Sequence, residues 1–185
     1  MKAGVLALQG DFREHAAVLA SLGATPVEVR TPEELAEVDC LVIPGGESTT
    51  ISKLARSAGL VEPIRERAAA GMPMLGTCAG MIVMAKRVIG LDPLLDLVDI
   101  TVRRNAYGRQ VDSFEADIEV EGVDHPVRAV FIRAPIVEEV GPGVRVLAEH
   151  EGHPVVVEEG NLVVASFHPE LVGETRLHAY VLGKV

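Results

Sequence analysis

Two spacings of apolar residues alternate through the first half of the chain. Residues 5–9, 26–30, 38–43 and 73–76 are short, mostly apolar runs bounded by Gly or Pro, which predicts buried strands. Between the first two, Phe12, Ala16, Leu19 and Leu22 fall on one helical face that Gly23 closes. Thr31-Pro32-Glu33-Glu34 supplies an N-cap with proline at the first helical position, so a short helix is predicted there. Helical spacing returns over residues 48–58 and 61–70, and again from residue 79 towards residue 86. Alternating strands and helices of this length predict a parallel sheet with right-handed crossovers.

The second half changes character. Residues 100–103, 114–120, 127–132, 144–149, 155–158 and 162–166 read as strands separated by turn sequences such as Gly141-Pro142-Gly143 and Glu159-Gly160-Asn161. Hairpin-sized spacing predicts antiparallel or mixed additions to the parallel core, and residues 175–182 a terminal helix. With 185 residues, no repeat and no linker-like stretch, the expectation is one α/β domain spanning 1–185.

Charge narrows the function classes. There are 27 acidic against 17 basic residues, a net −10, and such a surface repels phosphate backbones. Nucleic-acid binding is therefore not expected. No apolar run is long enough to span a bilayer and the N-terminus lacks a signal-peptide layout, so the expected location is cytoplasmic. Cys40 and Cys78 have no metal-ligand spacing, and in such a compartment a disulfide is not expected.

Gly76-Thr77-Cys78-Ala79-Gly80 lies where a strand meets a helix and follows the glycine–x–nucleophile–x–glycine pattern. Such a turn lifts the sulfur to the carboxyl edge of the sheet and points a helix N-terminus at it, which favours thiolate. Among six histidines, His168 alone follows an apolar strand into a turn, and Pro169 fixes the backbone between it and Glu170. Cys78, His168 and Glu170 thus read as nucleophile, base and orienting carboxylate. His15, His125, His150, His153 and His178 have no comparable context and are expected at the surface.

Pro44-Gly45-Gly46-Glu47-Ser48-Thr49-Thr50 follows a buried strand. Its glycines expose backbone N–H groups, so Gly46 and Ala79 are the candidate oxyanion donors. It is not a phosphate loop: the lysine motif is missing and Glu47 would repel phosphate. Arg103, Arg104 and Arg109 share one loop, and Arg133 ends a strand in Ile132-Arg133-Ala134-Pro135; either stretch suits a substrate carboxylate. Cys40, inside a strand, reads as core packing.

Taken together, these motifs resemble the class I glutamine amidotransferase family, closest to its vitamin B6 branch. The resemblance runs from residue 8 to residue 170 through Leu8-Gln9-Gly10 with Arg13-Glu14-His15, the Pro44–Thr50 loop, the Cys78 elbow, Arg104-Asn105 with the stretch 108–115, residues 131–135 and residues 166–170. It implies a flavodoxin-like three-layer sandwich, a mixed sheet with helices on both faces. It also implies hydrolysis of L-glutamine by Cys78, His168 and Glu170, with Gly46, Glu47, Ser48, Arg104, Ile132 and Arg133 holding the substrate. No metal or organic cofactor is implied. The ammonia would pass to a separate synthase subunit that builds pyridoxal 5′-phosphate, with Gln9 and Gly10 coupling its docking to the Gly46 loop. A glutaminase serving another synthase, such as imidazole glycerol phosphate synthase, or a non-catalytic binding subunit on the same fold, remains compatible with these residues.

Overall fold

The structure is a computed structural model that describes residues 1–104 and 113–185. In chain order the elements are β1 (Lys2–Leu6), α1 (Phe12–Ser21), β2 (Thr25–Val29), α2 (Pro32–Ala36), β3 (Cys40–Ile43), α3 (Ser48–Ser57) and α4 (Val61–Ala69). There follow β4 (Met74–Thr77), α5 (Ala79–Met84), β5 (Ala85–Val88), β6 (Val98–Arg103), β7 (Ser113–Ile118), β8 (Val127–Ile132) and β9 (Ile136–Val140). The chain closes with β10 (Arg145–His150), β11 (His153–Glu159), β12 (Leu162–Ala165), a 3₁₀ turn (Glu170–Val172) and α6 (Arg176–Leu182).

Seven strands form the central sheet in the order β10-β11-β12-β4-β3-β1-β2. Neighbours from β12 to β2 are parallel, while β11 and β10 add on antiparallel. The strand periodicity of two sorts the core onto two faces. Cys40 and Val42 point into one apolar layer with Leu19 of α1 and Leu177 of α6. Leu41 and Ile43 point into the other, with Leu35, Ile51 and Ile64 of α2, α3 and α4. Helices cover both faces, as the alternating pattern predicts, and Cys40 is core packing. A β5-β6-β9 sheet and a β7-β8 hairpin are appended.

From β1 the chain moves to one side for β2, then returns past β1 for β3. Open α/β sheets bind ligands at such a reversal, outside the carboxyl ends of the strands. The loops after β1, β3, β4 and β12 all emerge near this point.

The predicted elements differ from the observed ones in three places. β1 occupies residues 2–6 rather than 5–9, because pairing with Thr25–Val29 and Cys40–Val42 sets its register and frees Ala7–Asp11 as a loop. The helix starting at Ala79 ends at Met84; Ala85 turns extended (φ −65°, ψ 143°) and the chain continues as β5 against β6. β9 went unpredicted because Glu138-Glu139 interrupts its apolar pattern, although it pairs with β6. At α2 the predicted cap is present: Thr31 Oγ1 accepts from the Glu34 N–H, and Glu34 Oε2 accepts from the Thr31 N–H.

Candidate active site

β4 passes into α5 through Cys78, whose φ of 48° and ψ of −104° lie in neither the helical nor the strand region. Such a backbone persists only where its surroundings hold it. Here the Cys78 N–H donates to the Ala165 carbonyl of β12 at 2.8 Å, and a side chain at Gly80 would run into the Ile43 carbonyl of β3. Cys78 is 7% exposed, and its sulfur faces the Ile132 carbonyl at 3.9 Å. Ala79 occupies the first position of α5, where a backbone N–H has no intrahelical partner.

His168 follows β12 and is fixed by its N–H, which donates to the Val130 carbonyl of β8 at 2.8 Å. Its Nδ1 lies 2.7 Å from Glu170 Oε1, and Glu170 is the buried first residue of the 3₁₀ turn after Pro169. With Nδ1 bonded to the carboxylate, Nε2 is left for the sulfur. Burial disfavours a charged imidazole, yet hydrogen bonding to Cys78 and Glu170, and their charge, lift His168 to about 10. Burial raises Glu170 against the pull of His168. The three sequence-predicted catalytic residues are therefore assembled.

Asp11 also faces His168, and the motifs did not single it out. Its Oδ2 lies 3.4 Å from His168 Nδ1, and burial raises its carboxyl despite the neighbouring imidazole. A carboxylate directly after Gln9-Gly10 was the available signal. Asp11, His168 and Glu170 are also the group of ligating side chains, among the described residues, close enough to hold a metal ion. A metal there would have to displace the short His168–Glu170 bond.

The Gly46 loop is tied to the end of β1. The Asp11 N–H donates to the Gly45 carbonyl at 3.1 Å, and Gln9 Oε1 accepts from the Glu47 N–H at 2.7 Å. In a trans peptide the Gly46 N–H then points away from Asp11. Gln9 and Gly10 thus touch the loop they were expected to couple to. Glu47 caps α3 by accepting from the N–H groups of Thr49 and Thr50. The Thr49 hydroxyl pulls its carboxyl down; burial opposes this, but the Thr50 hydroxyl and the two backbone N–H bonds add to the pull and hold it at about 2, so it stays charged.

A cleft of ≈ 420 Å³ lies over the sulfur. Its walls include Gly46, Glu47, Ser48, Cys78, Ala79, Arg104, Ile132, Arg133 and His168, so all the predicted oxyanion and substrate residues line one space. Arg104 reaches Glu47 Oε1 at 3.4 Å. Ser48 Oγ is buried and, among the described residues, has no hydrogen-bond partner. Asp11, Ile82 and Leu171 complete the lining and were not predicted. A smaller cleft of ≈ 200 Å³ beside α3 includes Lys53 and Arg56 but neither a cysteine nor a histidine. Asn105, Arg109 and the rest of residues 105–112 lie outside the described residues.

Two histidines contradict the expected surface placement. His15 and His178 are 0% and 1% exposed and pair with each other at 2.7 Å. His15 falls on the inner face of α1 and His178 on that of α6; each polar ring is tolerated there because a polar partner faces it. His125 is exposed, and His150 and His153 are half-buried.

Residues 5–185 match the family model described as the SNO glutamine amidotransferase family. The chain is 58% identical over 193 residues to the pyridoxal 5'-phosphate synthase subunit PdxT of Acidothermus cellulolyticus, an alignment covering 100% of this chain and 93% of that protein. It is 52% identical over 186 residues to the protein of the same name from Niallia circulans, covering 100% and 98%. A solved structure described as a glutamine amidotransferase superposes with a TM-score of 0.94 at 49% identity, over 98% of this chain and 97% of that one. PurLQS from Thermotoga maritima shares the fold alone, with a TM-score of 0.75 at 17% identity over 98% and 97% of the two chains. A motif set, a cleft and relatives of this likeness lead to one assignment: the chain belongs to the SNO glutamine amidotransferase family.

Proposed function

We propose that this chain, as a single domain, is the glutaminase subunit of a pyridoxal 5′-phosphate synthase, hydrolysing L-glutamine through a thioester on Cys78. The observation that carries the reading is the convergence of Cys78, His168 and Glu170 under one cleft, with His168 Nδ1 held 2.7 Å from Glu170. The names of the similar PdxT proteins support the choice of synthase.

In this reading the Cys78 thiolate attacks the carboxamide carbon, and the Gly46 and Ala79 N–H groups hold the oxyanion. His168 gives its proton to the leaving ammonia, then takes one from the water that cleaves the thioester to glutamate. Glu170 keeps the imidazole oriented. Arg104 and Arg133 offer charge to the substrate carboxylate, while Glu47 and the Ser48 hydroxyl, without a partner among the described residues, suit its ammonium and amide groups. Cys40 and Cys78 are both free thiols, which suits the reducing cytoplasm. Among the described residues no helix is long and apolar enough to cross a membrane.

From the β1 loop, Asp11 holds the Gly45–Gly46 peptide and Gln9 the next one, Gly46–Glu47. Docking of the synthase subunit against that loop would therefore be felt at the oxyanion position. Glutamate release from glutamine, measured for the chain alone and with the synthase subunit, tests the reading. Strong stimulation by the partner supports it; no hydrolysis in the mixture refutes it.

A further inference from the structure

Behind the triad lies a row of buried polar groups that the hydrolytic scheme leaves unused. His15 of α1 presents Nδ1 to His178 Nε2 of α6 at 2.7 Å. Its Nε2 lies 3.0 Å from Thr77 Oγ1 and 3.4 Å from Glu170 Oε2. Thr77 is the residue before the nucleophile. Glu170 uses Oε1 on His168, while its Oε2 is buried and, among the described residues, forms no hydrogen bond. A buried carboxylate oxygen without a donor is costly, so something must answer it when Glu170 is charged.

The protons on the two rings follow from their neighbours. Burial holds His15 well below its usual value, with His178 and His168 adding to the effect. Burial takes His178 down to about 4, and the Glu174 backbone beside it offsets only part of that. Both rings are therefore neutral, with one N–H each. A bare His15 Nε2 would turn its lone pair towards the Glu170 oxygen 3.4 Å away, which opposes an ionised carboxylate. With the proton on Nε2, His15 donates to Thr77 Oγ1 and towards Glu170 Oε2. Its Nδ1 then accepts from His178 Nε2–H. That leaves His178 Nδ1 without a proton, and by its geometry it forms no hydrogen bond among the described residues, the nearby Glu174 backbone included.

We propose that His15 is a positioning residue of the glutaminase: its Nε2–H, oriented through Nδ1 by His178, holds Glu170 ionised and turned so that Oε1 faces His168. The inference rests on the Cys78–His168–Glu170 reading. The groups facing Glu170 are His168 from its own segment and, from the start of α1, Asp11 and His15; Thr77 of β4 faces His15. His15 is fully buried and absent from the cleft wall, so its loss should act on turnover rather than on glutamine binding.

The sign of the pH effect is fixed. Burial already raises Glu170, and removing a donor to its ionised form raises it further. Glu170 then protonates at higher pH and His168 loses its acceptor sooner. The test measures kcat, KM and the acid limb of the kcat profile for His15→Leu and His15→Gln, each with the synthase subunit present. His15→Leu removes the donor and keeps the bulk; His15→Gln keeps an N–H at similar reach. The expected result for His15→Leu is a roughly 10–100-fold loss in kcat, little change in KM, and an acid limb raised by about one unit. His15→Gln should recover most of that loss.

An unchanged limb in a folded His15→Leu, a limb moved to lower pH, or equal damage in both variants overturns the proposal. If His15→Leu does not fold, His15→Asn against His15→Gln decides, since the Asn amide reaches no further than Nδ1. Slow turnover in Asn alone supports the relay, and equal rates overturn it. Wild type and Cys78→Ala run alongside. An inactive wild type or an active Cys78→Ala overturns the triad and this inference together, whereas the other adverse results overturn the inference alone.

Discussion

Replacing Gly10 by Ala should disable catalysis without unfolding the protein. Gly10 has φ +96°, and a Cβ there would sit 2.8 Å from the Gly45 carbonyl carbon, closer still to its oxygen, and 3.1 Å from Gly46 Cα. Carbon atoms pack at about 3.5 Å or more, so the two strand-end loops must separate by roughly 0.7 Å or more. The backbone strain of a left-handed alanine adds about 1–2 kcal/mol. The loop that must move carries the Gly46 N–H proposed as an oxyanion donor, and the Asp11–Gly45 bond that holds it would break. Loss of one such donor costs on the order of 10²–10³ in kcat, so kcat should fall by about that factor with a smaller change in KM. Gly23→Ala is the control: its φ of +82° imposes comparable strain in open space, far from the cleft. Glutamine hydrolysis with the synthase subunit, alongside thermal melts, gives both readouts. Wild-type kcat in Gly10→Ala, or an equal loss in Gly23→Ala, would refute the reasoning.

Cys78→Ala should abolish hydrolysis and keep the fold, while Cys40→Ala changes turnover little, because Cys40 packs in the core and only Cys78 faces the cleft; steady-state rates and circular dichroism check both. An electrophilic glutamine analogue such as a diazo-ketone should label Cys78 and spare Cys40, whose thiol burial and Asp39 push up to about 11; peptide mapping reads the site, and His168→Asn should slow the labelling strongly. Glu47, held at about 2, is a depressed carboxyl, so its capping of α3 is fully present above its ordinary value near 4.5 and is lost only as pH falls through 2. Glutamine KM should therefore show no titration from Glu47 above about pH 5, and a KM that rises between pH 5 and 7 and persists in Glu47→Gln would place the titrating group elsewhere.

The parallel core and the residues proposed as a triad were legible because both have local signatures. Buried strands read as apolar runs, and the elbow and His168-Pro169-Glu170 are contiguous motifs. What escaped depends on contacts between distant segments. Asp11 becomes part of the site only because the β1 and β3 loops cross, and β9 exists because β6 offers it an edge. His15 and His178, separated by 163 residues, hide in helices as ordinary polar residues, and only tertiary packing turns each ring inward against the other. Register was the remaining gap: β1 begins three residues earlier than its apolar run because its partners decide where the ladder starts.

The central claim is that glutamine is opened by a covalent bond to Cys78. It is tested most directly by acid-quenching the chain and its synthase subunit during turnover and mapping the adduct by mass spectrometry. The account predicts a γ-glutamyl group on the peptide containing Cys78, absent in Cys78→Ala and accumulating in His168→Asn if the thioester forms but is not hydrolysed. Steady glutamate release with no adduct on Cys78, or undiminished release by Cys78→Ala, would contradict it.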